Sequence, residues 1–372
     1  MGLLDYYRQF EDVDQEEINR QLRERRAREK ATALAQVPTL DLSSTEWPDL
    51  PHSEMMNAAI FAARGRANDY PDRVAAHIRA SLAKRHEVQA EQIVLGNGAA
   101  ELLQTAALVL LGHGDDLVTP WPSYPLYPLM AQRAGARPVA VDLAGDSVDP
   151  APVVAAVGDR TRLVALCNPN DPTGTYLHAE QVGDLLSRLP KSVYVLLDEA
   201  YIHFQDVEPQ DSCLRLVDAF PNLVVFRTFS KVYGMAGLRA GYAVASSASG
   251  ELLSSIAPAL GVNALTQAGI THALKIGDLE VARRRKMVVE QRRRVLNELH
   301  DLPVDAPKSQ ANFVWLRAAG LTGADLAARL EQHGVLVAPG GPLGADDHVR
   351  ASIRGPAGTE RLLSALGRAL NP

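Results

Sequence analysis

Val224-Val-Phe-Arg-Thr-Phe-Ser-Lys-Val-Tyr-Gly-Met-Ala-Gly-Leu-Arg-Ala-Gly241 is the stretch on which the reading of this chain turns. Val224 to Phe226 have the character of a buried strand. Gly234, Gly237 and Gly241 then break any regular helix and allow a tight loop. Along it stand two hydroxyls, Thr228 and Ser230, one amine, Lys231, and one guanidinium, Arg239. Taken alone, the stretch is equally a strand followed by a surface loop with a solvated lysine and arginine.

Upstream, Val193-Tyr-Val-Leu-Leu-Asp-Glu-Ala-Tyr201 is a second apolar run, and it ends on two acids. In an open α/β sheet, ligands bind at the carboxyl ends of strands, where Asp198 would sit. A lone Asp there is more often a helix cap, or else a metal ligand. Together, Asp198, Lys231 and Arg239 say more. A lysine amine condenses with an aldehyde. A carboxylate keeps a pyridine nitrogen protonated. An arginine fork and small donors such as Thr228 and Ser230 hold a phosphate. These are the three handles of pyridoxal 5′-phosphate. Tyr201 follows Asp198 closely enough to reach the cofactor's 3-oxygen.

Other segments fit the same pocket less specifically. Leu163-Val-Ala-Leu-Cys-Asn-Pro-Asn-Asp-Pro-Thr-Gly174 reads as a strand stopped by a rigid turn. By itself it is an ordinary turn. Ile93-Val-Leu-Gly-Asn-Gly-Ala-Ala-Glu101 reads as a strand, a Gly-rich turn and the start of an apolar helix through Leu111. Small residues there let backbone N–H groups approach a phosphate, although most such turns are only turns. In Trp121-Pro-Ser-Tyr-Pro-Leu-Tyr127, Tyr124 is placed either to stack on a ring or to pack on its own prolines.

With these residues quoted, the chain resembles the class I/II pyridoxal-phosphate-dependent aminotransferases, fold type I of the aspartate aminotransferase superfamily. Within it, the chain is most similar to histidinol-phosphate aminotransferases and threonine-phosphate decarboxylases. The resemblance runs from about Leu40 to the C-terminus and is strongest at Asp198-Glu-Ala-Tyr201 and from Ser230-Lys231 to Arg239. It implies Lys231 as the cofactor-bearing amine and proton shuttle, Asp198 as the pyridinium partner, and Tyr201 as the 3-oxygen partner. It implies Thr228, Ser230 and Arg239 as phosphate ligands, with backbone at Gly98, Ala99 and Ala100, and Tyr124 as the stacking aromatic. Tyr70 would reach the cofactor phosphate of a partner subunit, so a homodimer with shared sites is implied. Arg350 would clamp the substrate carboxylate.

Two departures touch the substrate. Asp171, preceded by Asn170, stands where the family has the asparagine that donates to the 3-oxygen. Thr45-Glu-Trp-Pro48 replaces Asn-Glu-Asn-Pro in a segment that lines the substrate pocket in relatives. The implied activity is transfer of an amino group from an amino acid or a histidinol-phosphate-like amino-alcohol phosphate to a 2-oxo acid such as 2-oxoglutarate. A decarboxylase or lyase on the same scaffold, and a non-catalytic regulator that keeps the cofactor, are the alternatives.

Composition agrees with an enzyme of this kind. The 372 residues leave room for a large and a small domain, and 47% hydrophobic with 22% charged residues is ordinary for a globular chain. A net charge of −6 gives no reason to expect nucleic-acid binding. Two cysteines, no signal-peptide core and no spanning apolar run suggest a cytoplasmic protein. The ten histidines show no metal-ligand spacing, and His178, His203 and His348 read as surface or packing residues.

The alternation of strands and helices over 73–257 predicts an α/β fold with a mostly parallel, seven-stranded-type sheet flanked by helices. A smaller α+β domain follows. The expected division is an N-terminal arm and small-domain segment over 1–50, a large cofactor-binding domain over 51–262, and a connecting helix with the C-terminal small domain over 263–372. A charged helix over 12–35 opens with the capping box Asp14 and Glu17. The basic runs Arg23–Arg28, Arg283–Lys286 and Arg292–Arg294 read as solvated helix faces.

Overall fold

The apolar runs pair side by side into one sheet. The computed structural model describes residues 24–25 and 38–370; the capping box, and nearly all of the charged helix expected over 12–35, lie outside them. In chain order the strands are β1 (Leu40–Asp41), β2 (Ile93–Gly96), β3 (Asp116–Trp121), β4 (Arg137–Asp142), β5 (Thr161–Cys167), β6 (Tyr194–Asp198), β7 (Leu223–Thr228), β8 (Gly241–Ala245), β9 (Val304–Asp305), β10 (Phe313–Ala318), β11 (Val335–Leu336), β12 (Ala338–Pro339) and β13 (His348–Ser352). The main sheet has the order β2-β8-β7-β6-β5-β3-β4. β7, β6, β5, β3 and β4 are mutually parallel, and β8 runs antiparallel between β2 and β7.

The central strands are apolar without alternation because helices cover both faces. On one side Leu102, Leu103 and Ala106 of the helix Ala99–Leu110 pack with Leu163, Leu196 and Val224. On the other, Val182, Leu185 and Leu186 of the helix Ala179–Arg188 pack with Val164, Val195 and Val225. This layering brings Cys167, Asp198 and Thr228, the last residues of β5, β6 and β7, to one edge of the sheet. β8 enters from that same edge, with Gly241 opposite Thr228.

A second, antiparallel sheet has the order β12-β13-β10-β9. The strand β1 pairs in parallel with β11, so the segment that begins at residue 38 joins the C-terminal part of the chain. Leu42, Val314, Leu330, Val349 and Leu366 share a core there.

The helical stretch after residue 263 is two helices, Ala264–Ile276 and Asp278–Glu298, separated at Gly277. The basic runs on the second helix are only partly solvated, which corrects the sequence reading. Arg283 and Arg293 are exposed, but Arg284 and Arg292 are buried. They share the core face with Val288 and Val295, as spacings of four and three residues on a helix require. Arg284 donates to Val232 O at 2.9 Å and lies over the Trp47 ring; Arg292 donates to the carbonyls of Phe204 and Ala311, both at 2.9 Å. Among the described residues, no helix is long and apolar enough to cross a membrane.

Candidate active site

The strand ends, the N-terminal segment and β13 enclose a cavity of about 840 Å³. Lys231, Asp198, Tyr201, Tyr124, Asp171, Thr228, Ser230, Ala99, Ala100, Arg239 and Arg350 all line it. Gly98, Asn170 and Tyr70 do not. Gly98 lies directly beside the wall. The Asn170 amide donates to Pro122 O at 3.1 Å and Thr173 Oγ1 at 3.0 Å, and its oxygen accepts from Ser123 Oγ at 2.8 Å. Tyr70 is 85% exposed.

Lys231 is buried, and its Nζ donates to Thr45 Oγ1 at 2.6 Å. Burial pulls its ammonium down to about 8, against the opposing charge of Asp171. Asp198, at the end of β6, is buried as well. Burial pushes its carboxyl up to about 6, although Ala200 N donates to Oδ1 at 3.0 Å and Tyr127 OH to Oδ2 at 3.3 Å. Among the described residues no cation is in salt-bridge contact with it, and a buried acid of this kind suits a cationic partner.

At the far end of the sheet edge, the helix Ala99–Leu110 points its N-terminus at the cavity. Thr228 Oγ1 donates to Ser230 Oγ at 2.9 Å, and Arg239, at a left-handed φ of 53°, lines the same cavity with its guanidinium beside Gly98. Two glycines make this closeness possible. A Cβ at Gly98, whose φ is +95°, would meet Arg239 Nη2 at 2.4 Å, and one at Gly241 would meet Ala99 N at 2.3 Å. The result is a cradle of free N–H groups, two hydroxyls and one guanidinium, a donor set that fits a phosphate. With the amine of Lys231 and the acid of Asp198 in the same cavity, the residues present fit pyridoxal 5′-phosphate.

A third group of residues joins the two ends of the chain. Tyr201 OH donates to Asp171 Oδ2 at 2.8 Å, and Arg350 Nη1 meets Asp171 Oδ1 at 2.5 Å. Arg354 donates to Ser44 O at 3.1 Å and Glu46 O at 2.5 Å, which fixes the segment that carries Thr45.

The family model for class I and II aminotransferases matches residues 37–369. The chain belongs to that family. This aminotransferase is therefore an enzyme that uses pyridoxal 5′-phosphate and acts on amino and 2-oxo acids. It is 39% identical over 330 residues to an aromatic amino acid aminotransferase of Corynebacterium efficiens, a match covering 88% of this chain and 92% of the relative. It is also 39% identical over 307 residues to one of Rhodococcus jostii, covering 82% and 84%. Its fold is similar to that of histidinol-phosphate aminotransferase from Sinorhizobium meliloti, solved with pyridoxal-5′-phosphate. That comparison has a TM-score of 0.81 and 26% identity, and covers 93% of this chain and 94% of the other.

The sequence reading of this aminotransferase missed several contributors. In the sequence Thr45 stands out only as part of the Thr45-Glu-Trp-Pro48 replacement. Tyr127 was not connected to Asp198, since nothing local marks it. Arg227 is buried and donates to Glu199 Oε2 at 2.8 Å, Asp211 Oδ1 at 2.6 Å and Gln210 O at 2.7 Å. It ties β7 to the residue after Asp198, and so sets the spacing between two walls of the site.

Proposed function

We propose that this aminotransferase moves the amino group of an aromatic or other large apolar amino acid to a 2-oxo acid such as 2-oxoglutarate. The observation that carries this reading is the apolar part of the cavity wall: Trp47, Leu336, Val337, Pro342 and Leu343 face the same space as Lys231 and Arg350. Such a wall gains about 25 cal/mol per Å² of apolar substrate surface it covers. The similarity to aromatic amino acid aminotransferases of Corynebacterium and Rhodococcus supports the same choice.

In this reading Arg350 holds the substrate α-carboxylate, a pairing that suits its planar fork. The cofactor, when bound, draws electrons from the substrate's α-carbon and acidifies its proton. Lys231 is the base. Burial favours its neutral amine, the form that can accept a proton and return it. Asp198 would keep the ring nitrogen protonated. Thr228, Ser230, Arg239 and the amides after Gly98 would hold the phosphate end, so that binding energy far from the reacting carbon orients the rest.

A second reading, an amino-alcohol phosphate of the histidinol-phosphate type, has one observation in its favour. Arg354 lines the cavity with a buried Nε that has no hydrogen-bond partner. A panel of donors tests both, with 2-oxoglutarate as acceptor and cofactor absorbance followed directly. Phenylalanine, tyrosine and tryptophan should outpace histidinol phosphate in kcat/KM. The opposite ranking overturns the first reading, and carbon dioxide release without amino transfer overturns both.

The same reading includes a homodimer. Phe61 is 79% exposed, and Ile60, Val74, Leu260 and Tyr70 are exposed as well. Large apolar side chains left in water suit a partner surface. We also place the enzyme in the cytoplasm, in keeping with two buried, unpaired cysteines, Cys167 and Cys213.

A further inference from the structure

Thr45 makes contacts that no assigned role explains. Its Oγ1 accepts from Lys231 Nζ at 2.6 Å and lies 3.1 Å from Tyr201 OH. Tyr201 has one proton, and it goes to Asp171 Oδ2 at 2.8 Å. Asp171 faces the Arg350 guanidinium through its other oxygen and has the acceptor's part in both contacts. In its contact with Thr45, Tyr201 is therefore the acceptor and Thr45 the donor. The directions follow along the whole chain: Lys231 N–H to Thr45, Thr45 O–H to Tyr201, Tyr201 O–H to Asp171. Every bond points from the amine toward the carboxylate.

The backbone around Thr45 is held from several sides. Asn312 Nδ2 donates to Thr45 O at 3.1 Å. Ser352 Oγ and Arg354 Nη2 donate to Ser44 O, and Arg354 Nη1 donates to Glu46 O. A side chain on a segment fixed this way keeps one direction, and here that direction is toward the amine.

We propose that Thr45 is a positioning residue for Lys231, fixing the amine through its hydroxyl and linking the amine's proton to the Asp171 carboxylate through Tyr201. The proposal rests on the reading of Lys231 as the reacting amine. Charged groups face Lys231 from each neighbouring element: Glu46 on the N-terminal segment, Asp171 after β5, Asp198 at the end of β6, and Arg350 on β13. Burial and Arg350 favour the neutral amine; the three carboxylates favour the ammonium. An oxygen acceptor in direct contact also favours the ammonium, and Thr45 provides it.

The test uses the cofactor-free full chain and the reactivity of Lys231 toward acetic anhydride across pH, read by peptide mapping. Thr45→Val removes the acceptor and should lower the titration midpoint of Lys231 by about one pH unit, since a hydrogen bond to a charged group is lost. Thr45→Ser keeps the hydroxyl and should keep the wild-type midpoint. Tyr201→Phe leaves Thr45 in place but takes away its acceptor, and should lower the midpoint by less. Wild-type midpoints in folded Thr45→Val or in Tyr201→Phe overturn the proposal. Borohydride reduction of the cofactor-loaded wild-type enzyme separates this failure from the other. A label on Lys231 with no midpoint change removes only the role of Thr45; a label elsewhere removes the reading of Lys231 itself.

Discussion

Arg350 and Asp171 meet at 2.5 Å, and both side chains are buried. Arg350's charge is thus already matched by the Asp171 carboxylate. The same Asp171 accepts from Tyr201, which places its charge close to Lys231. The carboxylate therefore acts on both ends of the site at once.

The first prediction concerns that charge. An anion near the cofactor–Lys231 chromophore favours its protonated form. Asp171→Asn should therefore lose the long-wavelength absorbance band at a lower pH than wild type, by about one pH unit, the low end of what a close opposite charge does. A spectrophotometric pH titration of both loaded proteins measures it. Superimposable curves would show that Asp171 does not act on the chromophore.

Lys231 should carry the cofactor covalently. It is the buried amine in the cavity that also holds Asp198 and the phosphate cradle. Borohydride reduction of the loaded enzyme, followed by peptide mapping, should label Lys231, and Lys231→Ala should abolish the label.

What was legible in the sequence is what depends on short stretches of chain. Asp198 was placed at a strand end because an apolar run stops there, and Lys231 and Arg239 were placed in a loop because glycines follow. Both hold in the structure. What was not legible depends on which distant segments meet. Thr45 touches Lys231 across 186 positions, and Asp171 touches Arg350 across 179. Nothing in either segment announces its partner. Arg284 and Arg292 misled for a related reason. Two basic runs look like solvent-facing charge until another part of the chain offers carbonyl oxygens to the inward arginines.

Tyr70 tests the shared site. It is exposed on its own chain and does not line its own cavity, so its hydroxyl should serve the phosphate of a second subunit. Tyr70→Phe should weaken cofactor binding by about 1.5–3 kcal/mol, the worth of a hydrogen bond to a charged group. When Tyr70→Phe and Lys231→Ala proteins are mixed, hybrid dimers hold one site with both residues intact. At limiting cofactor the mixture should exceed the activity of Tyr70→Phe alone. An active enzyme that sediments as a monomer would refute the arrangement.

The last prediction concerns the stability of the cofactor-free protein. Burial raises the Asp198 carboxyl from its ordinary 3.8 to about 6. Between those values the folded chain holds a proton that the unfolded chain has released, so stability falls as pH rises through the window. Above about pH 6 the penalty is fully present; below about pH 4 it is gone. Two pH units correspond to roughly 3 kcal/mol at most. Asp198→Asn removes the ionisable group while keeping an oxygen to accept from Ala200 N. In the cofactor-free state the variant should therefore melt higher than wild type at pH 7 and close to it at pH 4. The same substitution should remove nearly all transamination, because an amide cannot hold the ring nitrogen's positive charge. Calorimetry at the two pH values, beside an activity assay, measures both effects. A variant no more stable at pH 7 than at pH 4, relative to wild type, would mean that Asp198 is not strained by its burial and that its placement is not a sacrifice of stability for the cofactor.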